Sequence, residues 1–258
     1  MLIPDFKLFD AHFHIIDPRF PLVPNRGYLP DRYTTNDYRE RLKDYQLRGG
    51  AIISGSFQAF DQDYLVDALA RMGSAYVGVT QLPASVSDEE LLELDRAGVR
   101  AVRFNLKRGG SEDISHLDAM ARRIHELSGW HVELYVDARD LDDLTPTLVS
   151  LPAVGIDHLG LSRAGLPSLL KLAEQGVRVK ASGFGRVDFN VPIALKDLYA
   201  ANPQCLMFGT DLPSTRAARS YSDNDFRLVV DTLGEQAARR VFLDNALDFY
   251  RMPERPQD

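Results

Sequence analysis

Eight short apolar runs punctuate the chain, each long enough for a buried strand. They are LFDAHFHII (8–16), GAIISGSF (50–57), AYVGVTQL (75–82), VRAVRFNL (99–106), HVELYVDA (131–138), AVGIDHLG (153–160), VRVKASGF (177–184) and CLMFGTDL (205–212). Amphipathic segments lie between them. SDEELLELDRAG opens on Ser87, carries acids in its first turn and stops at Gly98. ISHLDAMARRIHELSG sets Ile114, Leu117, Met120, Ile124 and Leu127 on one stripe and stops at Gly129, and LPSLLKLAEQG stops at Gly176. These start and stop signals predict helices. Strands alternating with helices imply right-handed βαβ units and a parallel sheet. Eight repeats in about 200 residues predict a single (β/α)8 TIM barrel, an α/β fold spanning residues 1–258 as one domain.

Alternation within the runs assigns faces. In the first, Asp10, His12 and His14 share one face, expected to point inward, while Phe9, Ala11, Phe13 and Ile15 suit packing against helices. Arg103 and Asn105 share a face in the fourth run, as do Glu133, Tyr135 and Asp137 in the fifth. A barrel carries its chemistry at the C-terminal ends of its strands. There stand His12 and His14, Ser54, Arg103, Tyr135, His158, Lys180 and Asp211. Burying several ionisable groups together is costly unless they share protons, a metal or a substrate. His116 and His125 fall on the wetter side of a helix, and His131 at the structural end of its strand.

Composition narrows the class. A net charge of −7 argues against broad nucleic-acid or anionic-membrane binding. One cysteine, Cys205, excludes an internal disulfide or a multi-cysteine metal site. No run approaches the ~18 apolar residues of a membrane span, and no basic leader opens the chain, so the cytoplasm is the expected location. Strand-linked GxGxxG and GxxxxGK[ST] motifs are absent, which removes the signature of a nucleotide fold.

HxH on the first strand, IDHLG on the sixth, MFGTDLP on the eighth and the terminal DNALDFYRM together resemble the amidohydrolase superfamily. With VRAVRFN and VKASGFGR, the chain looks most like the branch of 2-pyrone-4,6-dicarboxylate lactonases and sugar lactonases. That resemblance covers nearly the whole chain and implies hydrolysis of lactones, esters or amides. In metal-dependent members the first-strand histidines and the eighth-strand Asp hold zinc or another divalent ion. They are aided by a fourth-strand carboxylated Lys or Glu, or by a fifth-strand His. This chain departs from the pattern: its fourth strand offers Arg103 and Asn105 with Lys107 beyond, and its fifth Tyr135 and Asp137. An arginine there would repel a cation, and the pyrone-dicarboxylate lactonases of this branch work without one. No cofactor is therefore expected to be required. Should an optional ion such as zinc be bound, the expected ligands are His12, His14 and Asp211, with His158 as a further contact.

The expected activity is opening of a carboxylated lactone. Asp211 activates water, and His12, His14 and His158 donate to the carbonyl oxygen as it gains charge. Arg103 is the first candidate for a substrate carboxylate, because its planar fork suits bidentate binding. Lys180, Tyr135, Ser54 and the loop arginines Arg163, Arg186 and Arg216 complete the expected pocket. The first βα loop, DPRFPLVPNRGYLPDRYT, is stiffened by four prolines and must cross the barrel mouth, bringing Arg26 and Tyr28 towards substrate. The partner is thus a small carboxylated lactone, with no nucleic acid or membrane, in a monomer or small homo-oligomer. Rival readings are a metal-dependent decarboxylase or sugar lactonase of the same superfamily, and a catalytically inactive barrel that only binds a ligand.

Overall fold

The computed structural model describes residues 5–253; residues 1–4 and 254–258 of the expected domain lie outside the described residues. Eight parallel strands pair in sequence order: β1 Lys7–Phe13, β2 Gln46–Ile53, β3 Tyr76–Thr80, β4 Val99–Asn105, β5 His131–Tyr135, β6 Val154–Ile156, β7 Arg178–Ala181 and β8 Leu206–Phe208. The helices are α1 Thr35–Arg41, α2 Asp63–Met72, α3 Asp88–Ala97, α4 Leu117–Ser128, α5 Thr145–Ser150, α6 Leu166–Glu174, α7 Val191–Ala201, α8 Asp223–Leu233, α9 Glu235–Arg239 and α10 Asn245–Phe249. The result is the expected (β/α)8 barrel. No helix is long and apolar enough to cross a membrane among the described residues.

Local chemistry explains the helix boundaries. Ser87 accepts a hydrogen bond from the Glu90 N–H at the start of α3, and Gly98 ends it at φ 106°. At α1, Thr34 and Asp37 cap each other reciprocally, Asp37 accepting the Thr34 N–H at 2.8 Å. Thr34→Ala should therefore cost about 1 kcal/mol of stability, read as a lower denaturant midpoint at unchanged slope.

The barrel has two apolar layers. Strand residues such as Val102, Phe104, Val132 and Leu134 pack outward under the helices, where Phe226 and Phe242 stack at 3.9 Å. Phe9, Ala11, Ala51, Ile53, Val77, Val79, Ala101 and Met207 form the inner cluster with Tyr250, which follows α10. The terminal DNALDFYRM segment thus closes the barrel floor, with Asn245 donating to the carbonyls of Pro203 and Leu206.

The first strand departs from simple alternation. A register shift between Asp10 and Phe13 inserts an irregularity, so Phe9 and Ala11 face the interior and Asp10 does not. Asp10 instead accepts from the Tyr38 hydroxyl of α1 and from the backbone and side chain of Thr210. Burial pushes its carboxyl up to about 6. The Asp10 bonds, with Asp211 N–H to the His12 carbonyl and His14 N–H to the Leu212 carbonyl at 2.7 Å each, close the seam between β8 and β1. They bring the first-strand histidines beside Asp211.

Candidate active site

Four side chains converge beyond the C-terminal strand ends. The Nε2 atoms of His12, His14 and His158 lie 3.9, 3.8 and 3.8 Å from Asp211 Oδ1. All four residues are at least 95% buried. Backbone strain accompanies them, since His158 and Asp211 occupy the left-handed region at φ 52° and 59°. Such conformations cost about 1–3 kcal/mol each and concentrate at functional sites. Two glycines make room for the His12 backbone and the His158 ring. A Cβ on Gly209 would strike His12 and one on Gly183 would strike His158 Nδ1.

Charge is set by neighbours. Burial would raise the Asp211 carboxyl, but Arg186, whose Nε donates to Oδ2 at 2.7 Å, and the histidines hold it far below the usual carboxylate range. Burial pushes His12 down to about 3 and His158 well below its ordinary value, so both rings are neutral at pH 7. His14 Nδ1 lies 2.7 Å from the Ile53 carbonyl. A carbonyl only accepts, so His14 Nδ1 carries a proton, and Nε2 is the ring atom that faces Asp211.

Buried His12 Nε2 and Asp211 Oδ1 have no hydrogen-bond partner among the described residues. Ligand atoms of His12, His158 and Asp211 lie within 4.8 Å of one another, and the donor set fits a divalent cation. His158 takes the place in that group expected of His14.

Beneath His12 lies a fully buried ionic ladder. Arg103 donates to Asp157 Oδ2 through Nε and Nη2 at 2.9 and 2.8 Å. Lys180 donates to Glu133 and stands 3.6 Å from Asp157 Oδ1. Tyr250 and His131 complete the shell of Glu133 at 2.6 and 3.1 Å. Burial alone would raise both carboxyls, but the adjacent cations outweigh it: Lys180 for Glu133, and Arg103 foremost for Asp157.

Above the four-residue centre, a narrow chamber is lined by His14, Arg103, Tyr135, His158, Arg186 and Arg216, with Arg108 at its side. It adjoins a vestibule of about 320 Å³ that shares Arg108, Tyr135, Arg186 and Arg216. Arg103 and Arg186 are paired with carboxylates. Arg108 and Arg216 have no carboxylate partner among the described residues. Among the described residues the Arg216 guanidinium hydrogen-bonds only to Asn25, and it lies 4.2 Å from the Tyr28 ring centre. Burial and the nearby Arg108 lower its pKa.

The predicted residues therefore separate into two groups. His12, His14, His158 and Asp211 meet, and Arg103, Tyr135, Arg186 and Arg216 line the chamber. Lys180 does not reach it: fully buried under His12, it is consumed by two carboxylates. Ser54 is also withdrawn, its hydroxyl on Tyr64 and its carbonyl accepting from Arg103. Arg163 is exposed and lines neither cavity, because its turn is anchored through its backbone N–H to Asp188. The first loop covers the mouth as expected. Tyr28 touches Arg216, while Arg26 sits exposed at the tip of the Asn25–Tyr28 turn. Sequence reasoning missed Asp157 and Arg108, and it gave no role to the inward Glu133 or to Ser182, which lies 2.9 Å from His158 Nδ1. An inward Arg103 demanded a buried anion, and the Asp of IDHLG was the available signal.

Comparison with known proteins agrees with this architecture. A 2-pyrone-4,6-dicarboxylate hydrolase of Comamonas testosteroni is 36% identical over 169 residues, 61% of this chain and 54% of that protein. The chain thus matches about half the length of that relative. A D-galactarolactone isomerase of Agrobacterium fabrum is 26% identical over 94% of this chain and 90% of its own. The crystal structure of a putative 2-pyrone-4,6-dicarboxylic acid hydrolase from Pseudomonas putida superposes at a TM-score of 0.77 with 28% identity, covering 95% of this chain and 97% of that one. The sequence profile of the amidohydrolase family matches residues 9–252, and the chain belongs to that family.

Proposed function

We propose that this barrel hydrolyses a lactone bearing one or more carboxylates, of the 2-pyrone-4,6-dicarboxylate type. One observation carries the reading: two arginines without carboxylate partners among the described residues, Arg108 and Arg216, overhang a centre where three imidazole nitrogens face one carboxylate oxygen. Anionic substrate supplies the missing countercharge, and the geometry suits attack by water on a carbonyl.

Water held at Asp211 Oδ1 gives up its proton to that carboxylate as its oxygen adds to the lactone carbonyl. Collapse of the tetrahedral intermediate breaks the ring C–O bond, and Asp211 returns the proton to the departing oxygen. Ser182, donating to His158 Nδ1, leaves Nε2–H to stabilise the oxyanion, a type of contact worth about 10²–10³ in rate. Arg186 suppresses the basicity of Asp211. A substrate carboxylate in the chamber competes for Arg186 and relieves that suppression. Where a divalent ion is bound, His12, His158 and Asp211 hold it beside His14, and it supplies carbonyl polarisation and a more acidic water. We propose that no ion is required, because two buried cations, Arg103 and Arg186, already serve the carboxylates around the centre and would oppose a further positive charge.

Turnover of carboxylated lactones that survives exhaustive chelation supports this reading. Stoichiometric zinc whose removal abolishes turnover overturns the metal-free part. The near-full-length match to an isomerase favours one competing outcome, conversion of a sugar-acid lactone without net ring opening. Product analysis by NMR separates the two. Arg108→Ala should raise KM about tenfold or more with little change in kcat, since its contact is made equally in ground and transition states. Steady-state kinetics at two salt concentrations checks this.

A further inference from the structure

His12 Nδ1 points away from the reaction centre into the ionic ladder, 3.3 Å from Asp157 Oδ1 and 3.4 Å from Lys180 Nζ. These neighbours demand opposite tautomers. The carboxylate calls for a proton on Nδ1, whereas donation by Lys180 calls for a lone pair there. Lys180 has three donors and two carboxylates to serve, Glu133 and, at 3.6 Å, Asp157 Oδ1, and both are stronger acceptors than a neutral ring nitrogen. Asp157 Oδ1, in contrast, is buried with no hydrogen-bond partner among the described residues, and Oδ2 is already engaged by the Arg103 fork. A proton on His12 Nδ1 supplies the missing donor.

We propose that Asp157 is a positioning residue that fixes the His12 proton on Nδ1 and keeps the Nε2 lone pair facing Asp211. His12 then matches His14 in carrying a proton on Nδ1, which there the Ile53 carbonyl accepts. The His12 Nε2 lone pair and one carboxylate oxygen then face each other across 3.9 Å. That arrangement accepts protons from a bound water and does not donate to a substrate oxygen. The donor role falls to His158, whose Nδ1 partner is a hydroxyl able to give or take a proton. Arg103 belongs to the device: it holds Asp157 Oδ2 from the chamber side, so the residue that lines the substrate space also orients the carboxylate behind His12.

The test is Asp157→Asn. Arg103 can only donate, so the amide oxygen must face it and the amide NH2 must face His12 Nδ1. That nitrogen becomes an acceptor, and the proton moves to Nε2. Ring ¹⁵N NMR of the full chain, with the His12 signals assigned by their loss in His12→Asn, reads the tautomer directly. The expected wild-type state is Nδ1–H, and the expected variant state Nε2–H. On a carboxylated lactone, kcat should fall about 10–100-fold while KM stays within about threefold. A wild-type ring protonated on Nε2 overturns the proposal, and so does a variant whose tautomer is unchanged. If the variant fails to fold, the wild-type spectrum alone decides. The kinetic arm rests on the lactonase reading but the spectroscopic arm does not, so failure of one is distinguishable from failure of the other.

Discussion

Asp211→Asn should lower kcat on a carboxylated lactone by about 10²–10⁴-fold, the range for loss of a positioned acid–base group. The substitution keeps the shape of the side chain, and its amide oxygen can still accept from Arg186. It removes the negative charge and the proton-accepting oxygen that three Nε2 atoms surround at 3.8–3.9 Å. KM should change much less, because Arg108 and Arg216, which bind substrate in this account, do not touch Asp211. Single-turnover and steady-state rates check the split. Equal losses in kcat and kcat/KM place the interaction in the transition state, whereas a pure KM effect would reduce Asp211 to a binding group.

Lys180→Met carries the largest expected effect on stability. Lys180 is fully buried and serves Glu133 and Asp157 together. Deleting it leaves two buried carboxylates with one fewer cation, and breaking a buried pair on one side costs about 3–5 kcal/mol. Urea unfolding should show that loss. The double variant Lys180→Met/Glu133→Gln should recover a large part of it, because a neutral Gln can still accept from Tyr250 without needing a countercharge. Additive losses in the double variant would mean that the two groups are not energetically coupled.

The legible part of the fold was written in local chemistry. Ser87 and Gly98 bound α3, and the stripe from Leu117 to Ile124 is the buried face of α4, because capping and periodicity act within a few residues. Boundaries were harder. The second run was expected at 50–57, whereas β2 ends at Ile53 and Ser56–Gln58 form a separate turn. Alternation failed at Asp10, since a bulge is set by pairing with a neighbouring strand and not by the strand's own pattern.

The candidate site was legible in its types and not in its pairings. HxH, His158 and Asp211 stand at strand ends, and a barrel topology alone brings strand ends together. Which arginine remains open to an anion depends on which carboxylate each one meets. Arg103 meets Asp157 and Arg186 meets Asp211, leaving Arg108 and Arg216 without such partners among the described residues. Lys180 had the right charge on an inward face, but it stands one layer below His12. Depth along the barrel axis is fixed by strand stagger, which no single run encodes.

The central claim is that this site opens lactones because it recognises their carboxylates. Its most direct test compares hydrolysis of 2-pyrone-4,6-dicarboxylate with that of its dimethyl ester by the wild-type protein, following loss of the pyrone chromophore. Turnover of the diacid, with the diester at least about tenfold poorer in kcat/KM, is the predicted result. Equal turnover of both, or binding without turnover across a broad panel of carboxylated lactones, would contradict it.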